Sequence, residues 1–154
     1  MRTSKPFTGL LVLIGLILVV PAFSAAAGTT QLSAKLKGNE EVPAGSGDSN
    51  GKGEIFVAVK PKRQKLCFQL EFSKIEGASA GHVHKGLPGV DGPIKVTLFE
   101  ANPATPGPTA EGCARNQKKK LLRKIARDPE KFYVNIHNAE FPDGAIRGQL
   151  TPAL

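Results

Sequence analysis

From residue 54 to residue 72 the chain alternates with period two. Ile55, Val57 and Val59 share one parity, Pro61-Lys62-Arg63-Gln64 interrupts, and Leu66, Phe68, Leu70 and Phe72 resume it. Side chains two apart lie on one side of a strand and on different sides of a helix, so this stretch is two strands of one hairpin with one face buried. Any fold for this chain has to supply a partner for that apolar face.

The remaining segments follow the same rule. Gln31 to Lys37 reads as a first strand, and the Gly/Ser/Asp/Asn-rich Ala44 to Gly53 as a loop. Ser79 to His84 and Pro93 to Glu100 read as strands, the second with Ile94, Val96 and Leu98 inward. Ala101 to Gly112, loaded with Pro, Thr, Ala and Gly, has no period and reads as a surface excursion. From Asn116 to Arg127 the period changes to helical, with Leu121, Leu122, Ile125 and Ala126 among basic residues. Asp128-Pro129-Glu130 then has the form of an N-cap opening a short turn. Phe132 to His137 and Ala145 to Leu150 close the chain as strands. The prediction is all-β: an antiparallel, Greek-key-like β-sandwich or barrel with one short basic helix before the last two strands.

The N-terminus is of another kind. Arg2 and Lys5 precede the uncharged apolar run Gly9 to Val20, and Ala25-Ala26-Ala27 follows. That is the pattern of a secretory signal peptide over residues 1–27, leaving residues 28–154 as one domain. The alternative is an uncleaved anchor, but the apolar run is shorter than the roughly 20 residues a spanning helix needs, so no span is expected in the mature chain. No cysteine stands near the cleavage site to carry a lipid. Export, to the periplasm or beyond, makes a disulfide the expected state of the two cysteines. Cys67 has the parity opposite to the core-facing Leu66 and Phe68, within reach of a loop cysteine, Cys113.

Two of the three histidines, His82 and His84, share one strand face at the mouth of a Gly/Pro-rich turn, and His137 ends another strand. Imidazole is a common ligand of copper and zinc, so three together would make a single-ion site with a position open. The competing reading is that they hydrogen-bond loop backbone. A two-metal dismutase is excluded, since it needs more histidines than these. Tyr133 and Asn135 share the parity of His137, and Arg147 projects with Gln149 from the closing strand. Glu40 or Glu41 is the expected ion-pair partner of Arg147. The formal net charge is +8, of which Arg2 and Lys5 supply two. Lys118, Lys119, Lys120, Arg123, Lys124 and Arg127 form a candidate contact for an anionic surface, and Lys60, Lys62, Arg63 and Lys65 a second basic turn. Missing interleaved aromatics argue against single-stranded nucleic acid. Ser46, Ser49, Ser73 and Ser79 lack a nucleophile-elbow context, and no phosphate loop, dinucleotide fingerprint or paired-cysteine motif occurs.

Three motifs in order carry a family resemblance. They are Gly38-Asn39-Glu40-Glu41-Val42-Pro43, then Gly81-His82-Val83-His84-Lys85-Gly86 with Gly89-Val90-Asp91-Gly92-Pro93, then Phe132-Tyr133-Val134-Asn135-Ile136-His137 with Phe141-Pro142-Asp143-Gly144-Ala145-Ile146-Arg147-Gly148-Gln149-Leu150. Together they resemble the CHRD domain, named for chordin, over nearly all of residues 28–154. The Lys/Arg-dense helix is richer in charge than that family's pattern. The resemblance implies an exported single-domain member of bacterial type, and both cysteine positions fit such members. It also implies a binding or structural module without a catalytic site, since in chordin such domains belong to an extracellular protein that sequesters growth factors. No cofactor is assured by it, copper or zinc at the histidines being the residue-level alternative. An extracellular or envelope protein, or an anionic polymer, is the expected partner.

Overall fold

A computed structural model describes residues 28–105 and 107–153; the expected signal peptide lies outside the described residues. The strands are β1 (Thr30–Lys37), β2 (Lys52–Lys60), β3 (Lys65–Ser73), β4 (Ala78–Lys85), β5 (Ile94–Thr105), β6 (Thr109–Ala114), β7 (Phe132–His137), β8 (Ile146–Gln149) and β9 (Thr151–Pro152), with helix α1 (Lys119–Arg127) between β6 and β7. They form one antiparallel sheet in the order β5-β4-β7-β8-β1-β2-β3-β6, with β9 also on β1. The sheet curls until its outer strands, β5 and β6, approach each other, and Phe68 of β3 stacks on Phe99 of β5 with ring centroids 5.7 Å apart. All-β and antiparallel is therefore what forms, as a nearly closed barrel. Among the described residues no helix is long and apolar enough to cross a membrane.

The hairpin behaves as its alternation requires. β2 and β3 pair from Lys52↔Ser73 to Lys60↔Lys65, with Ile55, Val57, Val59, Leu66, Phe68 and Leu70 all buried. The turn is one 3-10 turn, Pro61–Arg63, closed by Gln64 in the left-handed region. Val83, Val96, Val134, Ile136 and Ile146 supply the facing side of the core. Gly81 makes the close approach possible, since a Cβ there would stand 2.5 Å from the Phe99 ring.

Four expectations change. Ile94 is 50% exposed, although Val96 and Leu98 are buried. The β4–β5 pairing steps from Val83↔Val96 to His84↔Ile94, so Lys95 is an extra residue and the parity flips before it. The stretch 101–112 is not a surface excursion: β5 runs to Thr105 and β6 starts at Thr109. Both are outer strands, where a proline costs no ladder bond on the unpaired side. Cys113 therefore sits on β6 rather than in a loop, directly opposite Cys67, and the two form a disulfide with Cα atoms 3.9 Å apart. Helix α1 begins at Lys119, not Asn116, because Asn116 is left-handed (φ 58°) and the Gln117 N–H is bound to the Gln64 carbonyl at 2.8 Å. Its Leu122 and Ile125 are fully buried. Asp128 stands, as expected, at the N-cap of a short 3-10 turn, Pro129–Lys131, but its side chain pairs with Arg127 (2.8 Å) and Lys131 (3.5 Å) instead of capping.

Candidate metal and loop-anchoring site

Strands β4, β7 and β8 lie side by side, and their register writes two rows across the face turned away from the core. One row is His82–Asn135–Arg147, the other His84–Tyr133–Gln149, and His137 faces Ala80 at the end of β7. Period two explains both sides: Val83, Val134 and Ile136 go inward, so every second residue faces outward. That outward face is nonetheless buried, with His82 and His84 each 8% exposed, Asn135 3% and Arg147 2%. What covers it is the β4–β5 loop, Gly86 to Pro93, folded back over the sheet.

The loop is held by side chains beneath it. A Leu87-Pro88-Gly89-Val90 turn, with Val90 N–H donating to Leu87 O and Gly89 at φ 74°, has the proline and glycine positions of a type II turn. Arg147 Nη2 donates to Val90 O (2.8 Å) and Leu87 O (3.3 Å), and Gln149 Nε2 to Gly86 O (2.7 Å) and Glu130 O (2.7 Å). The Tyr133 hydroxyl donates to Asp91 Oδ1 and accepts from Gly92 N–H, both at 3.1 Å. Tyr133 is also the centre of a stack. The His84 ring lies parallel to it at 4.8 Å, and Arg147 Cζ sits 3.4 Å from its centroid. Sequence reasoning placed Tyr133 on this face and missed that it organises the face; a lone tyrosine gives no sign of which backbone it will meet.

The expected carboxylate–Arg147 pair does not form. Glu40 is exposed. Glu41 is buried, its Oε1 has no hydrogen-bond partner, and among the described residues no ion pair joins it to Arg147. The guanidinium is already spent on the loop carbonyls. Glu41 instead lies under the Asn138–Gly144 turn, where a Cβ on Gly144 (φ 146°) would stand 2.6 Å from Oε1. Burial pushes its carboxyl up to about 7; the Arg147 charge pulls down against this, and Asp91 adds to the rise.

The three histidines do converge, with one ligand nitrogen from each within 4.8 Å of the others. Two backbone carbonyls set their tautomers. His84 Nδ1–H donates to Gly92 O (2.7 Å) and His137 Nδ1–H to Pro142 O (2.9 Å), so in each neutral ring the lone pair is on Nε2. His84 Nε2 is buried and has no partner. His137 Nε2 stands 3.0 Å from His82 Nδ1, which as N–H donates to its lone pair, and 3.1 Å from Asn135 Oδ1, an acceptor that cannot. Burial first, and then the neighbouring His137 and His84, depress the His82 imidazole to about 4. Burial also lowers His84, against the opposing Gly92 hydrogen bond. Both are neutral at pH 7, the state a metal requires. Gly92 and Pro142 are the functional groups a sequence cannot reveal, because they act through backbone carbonyls.

The six helix cations, Lys118 to Lys120, Arg123, Lys124 and Arg127, are exposed. Five lie on α1 and Lys118 at its N-cap, and the helix packs on β1, β2 and the Pro61–Arg63 turn, apart from the face just described. The CHRD domain family model matches residues 32–150, which takes in all three motifs and both cysteines. No curated protein and no solved structure matches the chain.

Proposed function

The chain belongs to the CHRD domain family, and from that premise we propose that it is an exported binding module whose ligand is one copper or zinc ion, held by His82, His84 and His137. One observation carries the reading. In a single cluster, His84 Nε2 has a lone pair and no partner, while His137 Nε2 turns its lone pair toward another acceptor, Asn135 Oδ1, at 3.1 Å. A cation among the three rings resolves both, and His82 needs only its other tautomer to join. The carbonyls of Gly92 and Pro142 are the second-shell acceptors that keep ligating imidazoles oriented. Nitrogens bound to one ion at about 2.0–2.1 Å stand roughly 3–4 Å apart, so small ring rotations complete the set. At one all-imidazole site copper(II) binds more tightly than zinc.

The module is read as binding rather than catalytic. The carboxylate beside His84, Asp91, is engaged by the Tyr133 hydroxyl, and Arg147, which does not titrate, is spent on loop carbonyls. Its place is the periplasm or the outside of the cell, in keeping with the Cys67–Cys113 disulfide, and an envelope or extracellular protein is the partner class it would serve. The second reading rests on the same hydrogen bonds: His84 and His137 pin the β4–β5 loop and the 138–144 turn, and their role ends there.

Thermal unfolding of the oxidised protein with copper, zinc or chelator separates the two. An ion at a hundred times its Kd adds about 2.7 kcal/mol, on the order of 10 °C for a domain of this size. The metal reading expects a saturable rise with one ion per chain, lost in His82→Gln, a variant that leaves both loop anchors intact. No rise with either metal, together with a destabilised His84→Ala, makes the histidines architectural.

A further inference from the structure

The two basic segments, separate in sequence, meet in space. Helix α1 packs against the Pro61–Arg63 turn, and the Gln117 N–H to Gln64 O bond ties them together. Lys62, Arg63, Arg115 and the helix cations are exposed. Only the end of this face is neutralised: among the described residues Asp128 pairs with Arg127 and Lys131, and no ion pair engages the other cations. Lys65 registers the crowding. Desolvation first, and then the Lys60, Arg115 and Arg63 charges, hold it below the ordinary lysine range. Like charges assembled without counter-charge cost stability, and a polyanion relieves that repulsion.

We infer that the Pro61–Arg63 turn and the exposed side of α1 form one binding face for a linear anionic polysaccharide. The helix itself argues against a membrane surface. Lipid-lying helices present an apolar side to the acyl chains, whereas here Leu122 and Ile125 are fully buried in the protein's own core. The exposed large apolar residues, Phe56, Leu87, Val90 and Ile94, belong neither to the turn nor to the helix. Single-stranded nucleic acid is disfavoured because the face has no aromatic platform for bases. What the face offers is charge alone, spread over two elements, which suits a repeating polymer of sulfates or carboxylates.

The test is binding of the oxidised protein to heparin and to polygalacturonate across a salt series. Duplex DNA and vesicles of phosphatidylglycerol in phosphatidylcholine are the competing surfaces. Binding to at least one polysaccharide is expected to fall at least tenfold between about 50 and 200 mM salt. Lys62→Glu/Arg63→Glu and Lys119→Glu/Lys120→Glu/Arg123→Glu should each weaken it at least tenfold without lowering the melting temperature. Lys52→Glu/Lys74→Glu, at the other end of the same hairpin, should change it less than twofold. Equal loss in that control reduces the effect to net charge and overturns the proposal. Loss with the helix variant but not the turn variant overturns the single face. Tighter binding to DNA or to vesicles than to either polysaccharide replaces the ligand class.

Discussion

The β2–β3–β6 side and the β4–β7–β8 side of the barrel belong to one sheet and are held in different ways. On the first, each strand buries one parity and shows the other to solvent, and a single covalent bond between Cys67 and Cys113 fixes the edge. On the second, both parities are buried, apolar residues inward and His, Tyr, Asn and Arg outward beneath the β4–β5 loop. Hydrophobic burial fixes the register of the first side and a cross-link holds it. The second adds a layer of buried polar groups that has to be satisfied almost completely, since an unpaired buried donor or acceptor costs about 1–3 kcal/mol. A binding site grows naturally on such a face, because its few unmet groups are the ones able to take a ligand.

The contrast is broken most forcibly at the disulfide. Closing a loop of sequence separation 46 is worth about 4 kcal/mol on the chain-entropy account. Cys67→Ser/Cys113→Ser should therefore lower the melting temperature by more than 10 °C, while amides of the β4–β5 loop keep their relative protection in hydrogen exchange. Selective loss of that loop's protection would show the two sides to be one unit.

The next effect is at Arg147. Arg147→Met removes the donor to Leu87 and Val90 and the cation over Tyr133. The expected cost is about 3 kcal/mol, with exchange of the Val90 and Gly92 amides accelerated far more than that of β2 and β3. Uniform acceleration would contradict the separation of the two sides.

Titration sharpens it further, and the signs oppose. His82 is depressed in the fold to about 4, so the unfolded chain takes up its proton first and stability falls as pH drops from about 6.5 toward 4. Glu41 is raised to about 7, so its contribution is full below about 4.5 and is lost as pH rises through 7. Between pH 4.5 and 6.5 the two offset. Glu41→Gln should steepen the fall of melting temperature on acidification, and His82→Gln should flatten it, each by on the order of 1–2 kcal/mol. Unchanged pH profiles in both would remove these groups from the titration. Smallest is Tyr133→Phe, which loses one hydroxyl between Asp91 and Gly92 and should cost about 1 kcal/mol, read as faster exchange at Gly92.

These differences also decide what was legible. Alternation exposed the hairpin, the parity of His82 with His84, and that of Tyr133, Asn135 and His137, because period two is written into the sequence. Two of the family's three motifs supply the strands of the polar face, β4, β7 and β8, and the first, Gly38 to Pro43, follows β1 outside it. Three things escaped. The Lys95 bulge reversed Ile94, since an extra residue leaves no mark in composition. The outer strands hid in a Pro-rich stretch, since an edge tolerates what a central strand does not. The partner of Arg147 was sought among carboxylates and found in carbonyls, which every residue carries and no motif announces.

The approach of β5 to β6 leaves a seam, and both of its borders are edges where another copy of the chain would have to add a strand. Pro103 on one border, and Pro108 just before the other, have no N–H to offer. The same prolines that disguised these strands deny an incoming strand part of its ladder, so the seam gives little footing for edge-to-edge self-association.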